Sequence, residues 1–347
     1  MKKVLLITEY INPPYDEGIK KTVYNLFLEL DKTYNLQVIC RAGFRKENIQ
    51  VVQANKLFLS RSIKKIIKDI EPEVLIYFPF ASATFAGYLR FYILSKYNKT
   101  SKNILLALQP KKLKFWHKFI LRFIKPKIAL TPSPELHHFW NSLSVKNQLI
   151  PLQTNLAIFK PLINKTKGDF RAKYNLPENA FIISHMGHLN EGRNLQSLIP
   201  LQRAGFQVVV VGSSSTPKDS LGPASLKEEL TNAGIIIMDG YIEKIEEIYL
   251  LSDVYIFPVV AKTGSIGMPL SIMEARACGI PVISTDFGSL KHFLENDYGN
   301  IYYAKPDEFL HVVKHIEKEK QTDRLKTNVH LLNKTYVDII HNAINKS

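Results

Sequence analysis

Apolar runs with no polar alternation recur along the chain, and each is followed by a stretch whose apolar positions have helical spacing. In the first half the runs are "KKVLLITEY", "LQVICRA", "EPEVLIYFP", "NILLALQP" and "KIALTPS". Helical patterns fall between them at about Ile19 to Asp31, at "SIKKIIKDI", at "ATFAGYLRFYILSKY" and in a basic stretch that follows. The pattern restarts with "AFIISHMGHL", "FQVVVVGSSS", "GIIIMDG", "DVYIFPV" and "IPVIST". Strands rich in Val and Ile and apolar at consecutive positions are covered on both faces, which is the signature of parallel sheets flanked by helices. The chain therefore predicts two doubly wound α/β domains. A polar stretch without periodicity, "LIPLQTNLAIFKPLINKTKGDF", separates them and puts the hinge near residues 151 to 165. The last segment, "TDRLKTNVHLLNKTYVDIIHNAINKS", reads as helix.

Length supports two cores, because 347 residues exceed the roughly 250 to 300 at which a single core splits. Charge adds a constraint. A formal net charge of +15 points to an anionic partner: nucleic acid, a membrane surface or a phosphorylated small molecule. The basic residues are not interleaved with a nucleic-acid reading motif, which sets nucleic acid aside. Two cysteines, Cys40 and Cys278, give no disulfide framework and suggest a reducing compartment. The first apolar run stops at Thr8-Glu9, short of a signal peptide, and no run reaches the roughly 20 residues of a membrane span. A cytoplasmic protein is expected.

In open α/β sheets, ligands sit beyond the carboxyl ends of the strands, among glycine-bearing loops and helix amino termini that favour anions. Two such stretches occur in the second half. In "HMGHLNEGRNLQSLI", a strand ends at Gly187 and His188, and Arg193 follows near the start of an expected helix, with a forked guanidinium suited to a phosphate. The same spacing also fits a plain strand-to-helix turn with a solvated arginine. In "GSIGMPLSIMEARACGIPVIS", Ser271 to Cys278 reads as a helix stopped by Gly279, with Glu274 in or near its first turn. A carboxylate there either complements the helix dipole or accepts hydrogen bonds from vicinal hydroxyls such as those of a ribose. No Asp-x-Asp pair or His/Asp/Glu cluster at metal-ligand spacing appears, so no metal and no cofactor is expected.

"EARACGIPVIS" after a Gly- and Pro-bearing loop, "GHLNEGRN" about eighty residues before it, "QTNLAIFKP" at the junction and the opening "LLITEYINPPYDEGIKKTVYNLFLEL" together resemble the family 4 retaining glycosyltransferases of the GT-B fold. The resemblance covers nearly the whole chain in order. It implies an amino-terminal Rossmann-like acceptor domain (1–160), a carboxyl-terminal Rossmann-like donor domain (161–320) and a final helix (321–347) returning to the first domain. It implies a nucleotide-diphosphate sugar donor and transfer with retention. Position by position, Glu274 would hold the ribose hydroxyls, and Arg193, six residues after Gly187, the diphosphate; these two are the candidate catalytic residues. His188 stands where the family commonly has arginine. Backbone around Gly267, Leu270 and Ser271 would make a second diphosphate contact, Gly240 and Tyr241 would lie along the base, and Gly18 would let a first-domain loop approach the sugar or phosphates.

The departures are specific. The second glutamate expected eight residues before Glu274 is Ile266, which accepts no hydrogen bond, and Lys262, Thr263 or Ser265 would have to substitute. The histidine expected after "NILLALQP" is missing, with Gln109 the nearest polar residue; His137 and His138 further on look like helix-surface or packing residues. In "KKLKFWHKFILRFIKPK", a helical projection places Lys111, Lys114, Lys118, Arg122 and Lys125 on one face and Leu113, Trp116, Ile120 and Phe123 on the other. Such a helix suits an anionic membrane or a lipid-linked acceptor, or else simply packs its apolar stripe on the sheet. The leading expectation is thus a metal-independent hexosyltransferase, peripheral on the inner face of the membrane. A nucleotide-sugar epimerase on the same architecture and a nucleotide-sugar-binding protein without turnover are the alternatives.

Overall fold

The computed structural model of the chain describes residues 1–15, 17–55, 60–97, 101–162, 166–212, 224–262, 264–294, 301–319 and 329–345. They form two compact units: Met1–Leu152 with Lys334–Ser347, and Gln153–Asn333. The first boundary lies before residue 160, because Ile150 and Leu152 are completely buried and the Ile150 N–H still donates to the Thr131 carbonyl of the first sheet at 2.9 Å. The second falls after 320, within the last helix. Of the expected segment 321–347, residues 321–328 lie outside the described ones.

The first unit holds seven strands, β1 (Lys3–Thr8), β2 (Asn35–Cys40), β3 (Ile49–Val51), β4 (Val74–Phe78), β5 (Lys102–Leu106), β6 (Ile128–Thr131) and β7 (Lys146–Leu149), with helices α1 (Gly18–Thr33), α2 (Arg61–Ile70), α3 (Phe85–Tyr97), α4 (Phe115–Ile124) and α5 (Pro134–Ser142). The sheet is parallel throughout, in the order β3-β2-β1-β4-β5-β6-β7. Alternate residues of the central strands, such as Leu5, Ile7, Leu75 and Leu105, share one core with Ile63 of α2, Phe91 of α3, Leu121 of α4 and Trp140 of α5. Those four helices therefore cover one face of the sheet.

The second unit repeats the scheme with β8 (Ile182–Gly187), β9 (Gln207–Gly212), β10 (Ile236–Asp239), β11 (Val254–Phe257), β12 (Val282–Ser284) and β13 (Ile301–Tyr303). Its helices are α6 (Lys167–Lys173), α7 (Ile199–Arg203), α8 (Ala224–Asn232), α9 (Ile245–Leu251), α10 (Leu270–Ala277), α11 (Leu290–Leu294) and α12 (Phe309–Lys318). The strand order is β10-β9-β8-β11-β12-β13, all parallel. The last helix, α13 (Val329–Asn345), joins the first unit from Lys334 onward, where the Tyr34 hydroxyl and His341 Nδ1 are hydrogen-bonded at 2.7 Å.

Both sheets reverse their winding in the middle, between β1 and β4 and between β8 and β11. Loops that leave such adjacent strands in opposite directions open a crevice at the carboxyl edge. In the second unit the crevice is bounded by the loop after Gly187 and the loop after Phe257, which are the two stretches singled out in the sequence.

Candidate active site

The loop after β8 does not lead straight into an α-helix. Glu191–Arg193 and Leu195–Leu198 form 3-10 turns before α7, and Asn194 between them takes a left-handed conformation (φ 56°). Arg193 therefore closes a tight turn instead of opening a helix, and its side chain is pulled inward. It is 8% exposed, its guanidinium lying 6.0 Å from the centre of the Phe257 ring. Gly187 makes room for this. A β-carbon there would stand 3.3 Å from Arg193 Cζ and 3.1 Å from His185 Nε2.

The second loop is packed against the first. A β-carbon on Gly264 would come within 2.6 Å of the Gly192 carbonyl oxygen, so the backbones touch, and the Asn194 amide donates to the Pro258 carbonyl at 3.2 Å. Gly267 is fixed from the other side: its carbonyl accepts the Ser289 N–H at 2.9 Å, and Gly288, at φ 59°, passes so close that a β-carbon would strike that carbonyl. Ser289 and Gly288 were not anticipated, although "FGSL" carries the signal of a glycine where a side chain will not fit.

Helix α10 starts at Leu270, with Pro269 in the cap position. Proline offers no side-chain acceptor to the first N–H groups of a helix, and these are the groups a phosphate meets. Glu274 is the fifth residue of α10, just past its first turn as expected, which weakens the dipole explanation for it, since that effect fades within one turn. Nearly every side chain of α10 is buried, Glu274 to 2% exposure. Its Oε2 accepts a hydrogen bond from the Tyr249 hydroxyl of α9 at 2.8 Å. Burial, helped by the Glu274 charge, pushes the Tyr249 phenol well above its ordinary range, so this hydroxyl keeps its proton and donates.

Tyr255 of β11 ties these groups together. Its hydroxyl donates to Ser271 Oγ at 2.7 Å, and burial raises its pKa while the Arg193 and Glu274 charges act on it in opposite senses. Its ring lies 5.7 Å from that of Tyr249, the partner of Glu274, and stacks 6.1 Å from His185, which shares the space over Gly187 with Arg193. His185 is completely buried, its Nδ1 hydrogen-bonded to the Ile256 carbonyl at 2.9 Å. Burial and then the Arg193 charge lower its pKa to about 3, which keeps the imidazole neutral and leaves Arg193 the cation of the group. Tyr249, Tyr255 and His185 escaped the sequence reading because they lie inside apolar runs that look like plain core.

The other expected residues fall as follows. His188 is half-buried in the first loop. Gly240 (φ 96°) and the exposed Tyr241 follow β10, an edge strand two places from β8 in the sheet order. Gly18 opens α1 in the first unit. Ile266 and Ser265 are buried and Lys262 is exposed, while Thr263 lies outside the described residues. The Gln109 carboxamide accepts from Lys111 Nζ at 3.0 Å, and its backbone exchanges hydrogen bonds with the Ser82 hydroxyl. His137 and His138 sit on α5 and bond to their own helix, through Asn141 and the Pro134 carbonyl. At the switch point of the first sheet, Glu9 accepts from the Tyr77 hydroxyl at 3.0 Å, from the Phe80 N–H at 2.8 Å and from Arg90, a buried network that the sequence reading did not find.

The basic helix departs from its projection. α4 begins only at Phe115, so Lys111 and Leu113 precede it and Lys114 caps it. Leu121 and Ile124 face the core, whereas Trp116 and Phe123 are exposed beside Lys118 and Arg122. The projection takes Leu113, Trp116, Ile120 and Phe123 as the inward stripe, whereas the stripe that packs is centred on Leu121 and Ile124, which leaves Trp116 and Phe123 outside it.

Two Rossmann-like units with the same strand order, 3-2-1-4-5-6 from the edge, define the GT-B architecture of glycosyltransferases. Solved structures agree across the full length. A glycosyltransferase of Rickettsia africae aligns over 100% of this chain and 99% of its own with a TM-score of 0.76 at 16% identity. HepE of Anabaena in complex with UDP-glucose aligns over 99% and 100% with a TM-score of 0.76 at 12% identity, a likeness that at such identity concerns the fold. Residues 185–319, within the second unit, match the family Glycosyl transferases group 1. A curated relative, the UDP-Gal:alpha-D-GlcNAc-diphosphoundecaprenol alpha-1,3-galactosyltransferase of Escherichia coli, is 26% identical over 199 residues, 53% of this chain and 48% of that one. The match thus spans about half the length of that relative.

Proposed function

We propose that the chain is a glycosyltransferase that moves a hexose from a nucleoside-diphosphate sugar to a lipid-linked acceptor, with retention of anomeric configuration and without a metal ion. The observation that carries this reading is the link that Tyr255 makes to Ser271 directly, to Glu274 through Tyr249 and to Arg193 through His185, at the switch point of the sheet whose residues match group 1 glycosyltransferases. The E. coli relative, whose name specifies a UDP-sugar donor and a diphosphoundecaprenol-linked acceptor, supports the substrate classes.

In this reading Glu274, oriented by Tyr249, accepts the ribose hydroxyls. Arg193 and the amides opening α10 hold the diphosphate, with His188 and Gly267 beside them and Gly240 and Tyr241 along the base. The acceptor hydroxyl oxygen forms the new bond to the anomeric carbon as the bond from that carbon to the diphosphate oxygen breaks. The hydroxyl proton passes to the departing diphosphate on the same face. The charge that develops on this leaving group is the one Arg193 stabilises, and the neutral His185 takes none of it away.

One observation favours a second reading. Ile266, where the family's second glutamate would contact the donor sugar, is apolar and buried, as fits a protein that binds the nucleotide without turnover. Thermal unfolding in a panel of UDP-, GDP-, ADP- and TDP-sugars tests both. A ligand at a hundred times its Kd adds about 2.7 kcal/mol to stability, and the expected result is one responsive nucleotide whose effect is lost in Glu274→Ala and reduced in Arg193→Gln. No response from any donor overturns the nucleotide site. Stabilisation without donor consumption in the presence of lipid-linked acceptors favours binding alone.

A further inference from the structure

Among the described residues, the outer face of α4 gathers exposed aromatic side chains as no other element does. Phe115 is 89% exposed, Phe123 71%, Phe119 57% and Trp116 50%, all within one ten-residue helix. Scattered exposed apolar residues are ordinary, but a contiguous aromatic patch marks a docking surface. These rings do not lack an inward alternative by accident of composition: Leu121 and Ile124 already fill the inward face of the helix, with Ile120 packed partly against the same core. The aromatic residues are surplus to the core.

What surrounds the patch identifies its occupant. Lys112, Lys114, Lys118 and Arg122 are exposed on and next to the same helix. No aspartate or glutamate occurs between Glu73 and Glu135, so neither α3 nor α4 carries an acid. On the same layer, α3 packs against both α4 and α2, and α2 turns Ile63 and Ile67 inward and Lys64, Lys65 and Lys68 outward. Protein interfaces are depleted of lysine, whereas rings flanked by lysine and arginine, with no acid among them, match the interfacial zone of a bilayer with anionic head groups.

We propose that α4 docks the protein on an anionic membrane, with Phe115, Trp116, Phe119 and Phe123 entering the interfacial zone and Lys118 and Arg122 meeting lipid phosphates. This deepens the reading of a lipid-linked acceptor, since it would bring the protein to the surface where such an acceptor resides, yet it stands on residues outside the donor site. It also differs from simple electrostatic adsorption, because the rings contribute contacts that salt does not screen.

The chain has two tryptophans, which makes the test direct. Trp140 is completely buried and its indole N–H donates to the Tyr88 hydroxyl at 2.8 Å, so a change in emission on adding vesicles reports Trp116. With vesicles of equimolar phosphatidylglycerol and phosphatidylcholine, the expected result is a blue shift, quenching by lipids brominated on their acyl chains, and co-flotation. Vesicles of phosphatidylcholine alone should give little of either. Lys118→Gln with Arg122→Gln should weaken binding by roughly fivefold per charge removed. Trp116→Ser with Phe119→Ser and Phe123→Ser should weaken it by roughly tenfold or more and abolish the salt-resistant part. The aromatic variant should keep the thermal response to a nucleotide sugar, which separates loss of docking from loss of the donor site or of the fold. An unshifted Trp116 emission, or binding unchanged by the aromatic substitutions, overturns the proposal. Vesicle binding in a protein that answers to no nucleotide would sustain it while removing the donor reading.

Discussion

His185 gives a prediction whose sign and size both follow from its surroundings. The ring is completely buried beside the Arg193 guanidinium, and its pKa is lowered to about 3. In the unfolded chain the imidazole titrates near its ordinary value of about 6.5. Because the folded value lies below the unfolded one, the unfolded state binds the extra proton, and stability must fall as the pH drops through about 6.5 and keep falling until about 3. At pH near 5 the unfolded ring is almost fully protonated and the folded one is not, and the linkage integral from about pH 7.5 amounts to about 2 kcal/mol. His185→Gln removes the titration while retaining a side-chain N–H to offer the Ile256 carbonyl, which His185 Nδ1 contacts at 2.9 Å.

The assay has to look at the right unit. Both tryptophans, Trp116 and Trp140, belong to Met1–Leu152, so tryptophan emission does not report on the second unit. Hydrogen exchange of the β8 and β11 amides, corrected for intrinsic rates at each pH, reads it directly. Wild-type protection in these strands should fall by about 2 kcal/mol more than that of His185→Gln between about pH 7.5 and pH 5. Parallel decline of the two proteins would show that the ring takes up its proton without unfolding, and the picture of a dry, neutral imidazole under Arg193 would be wrong.

Three further substitutions test the packing of the two units. Gly288→Ala forces a β-carbon toward the Gly267 carbonyl at a left-handed φ of 59°; overpacking plus backbone strain should cost about 2 to 5 kcal/mol and shift the loop leading into α10. Gly205→Ala, also at positive φ but with nothing within 4 Å, should cost only about 1 to 2 kcal/mol, and equal losses in calorimetric unfolding would show that the Gly267 contact is unimportant. Glu9→Gln leaves the buried Arg90 without its counter-charge, a change worth about 3 to 5 kcal/mol. Tryptophan emission during denaturant unfolding should register that loss in the first unit, and a change below about 1 kcal/mol would mean the pair is solvated in practice.

These predictions rest on groups of unequal visibility in the sequence. The central strands are legible because burial on both faces leaves no polar alternation, as in the fully buried run Val208 to Val210 of β9. β3, β7 and β13 went unread for the opposite reason: they are edge strands of three or four residues, and Lys146–Leu149 carries no apolar run at all. The loops of the candidate site were legible through their glycines, since a residue without a β-carbon beside Arg193 or the Gly192 carbonyl is a local demand of the backbone. What those glycines make room for was less legible. The turn at Glu191–Arg193 is set by packing against Phe257, more than sixty residues away in the chain, and the partners of Glu274 and Ser271 are tyrosines that look like core on any local pattern. The error at α4 has the same root. A helical wheel tells which residues share a face but not which face turns inward, and here that choice is made by the core that Leu121 and Ile124 fill. With Leu121 and Ile124 turned inward, Phe115, Trp116, Phe119 and Phe123 are left facing solvent. A face left over after the core is filled is thus better evidence for a partner than the amphipathic projection that first suggested one, because the projection alone would have buried Trp116 and Phe123 and left the lysines to act by charge alone.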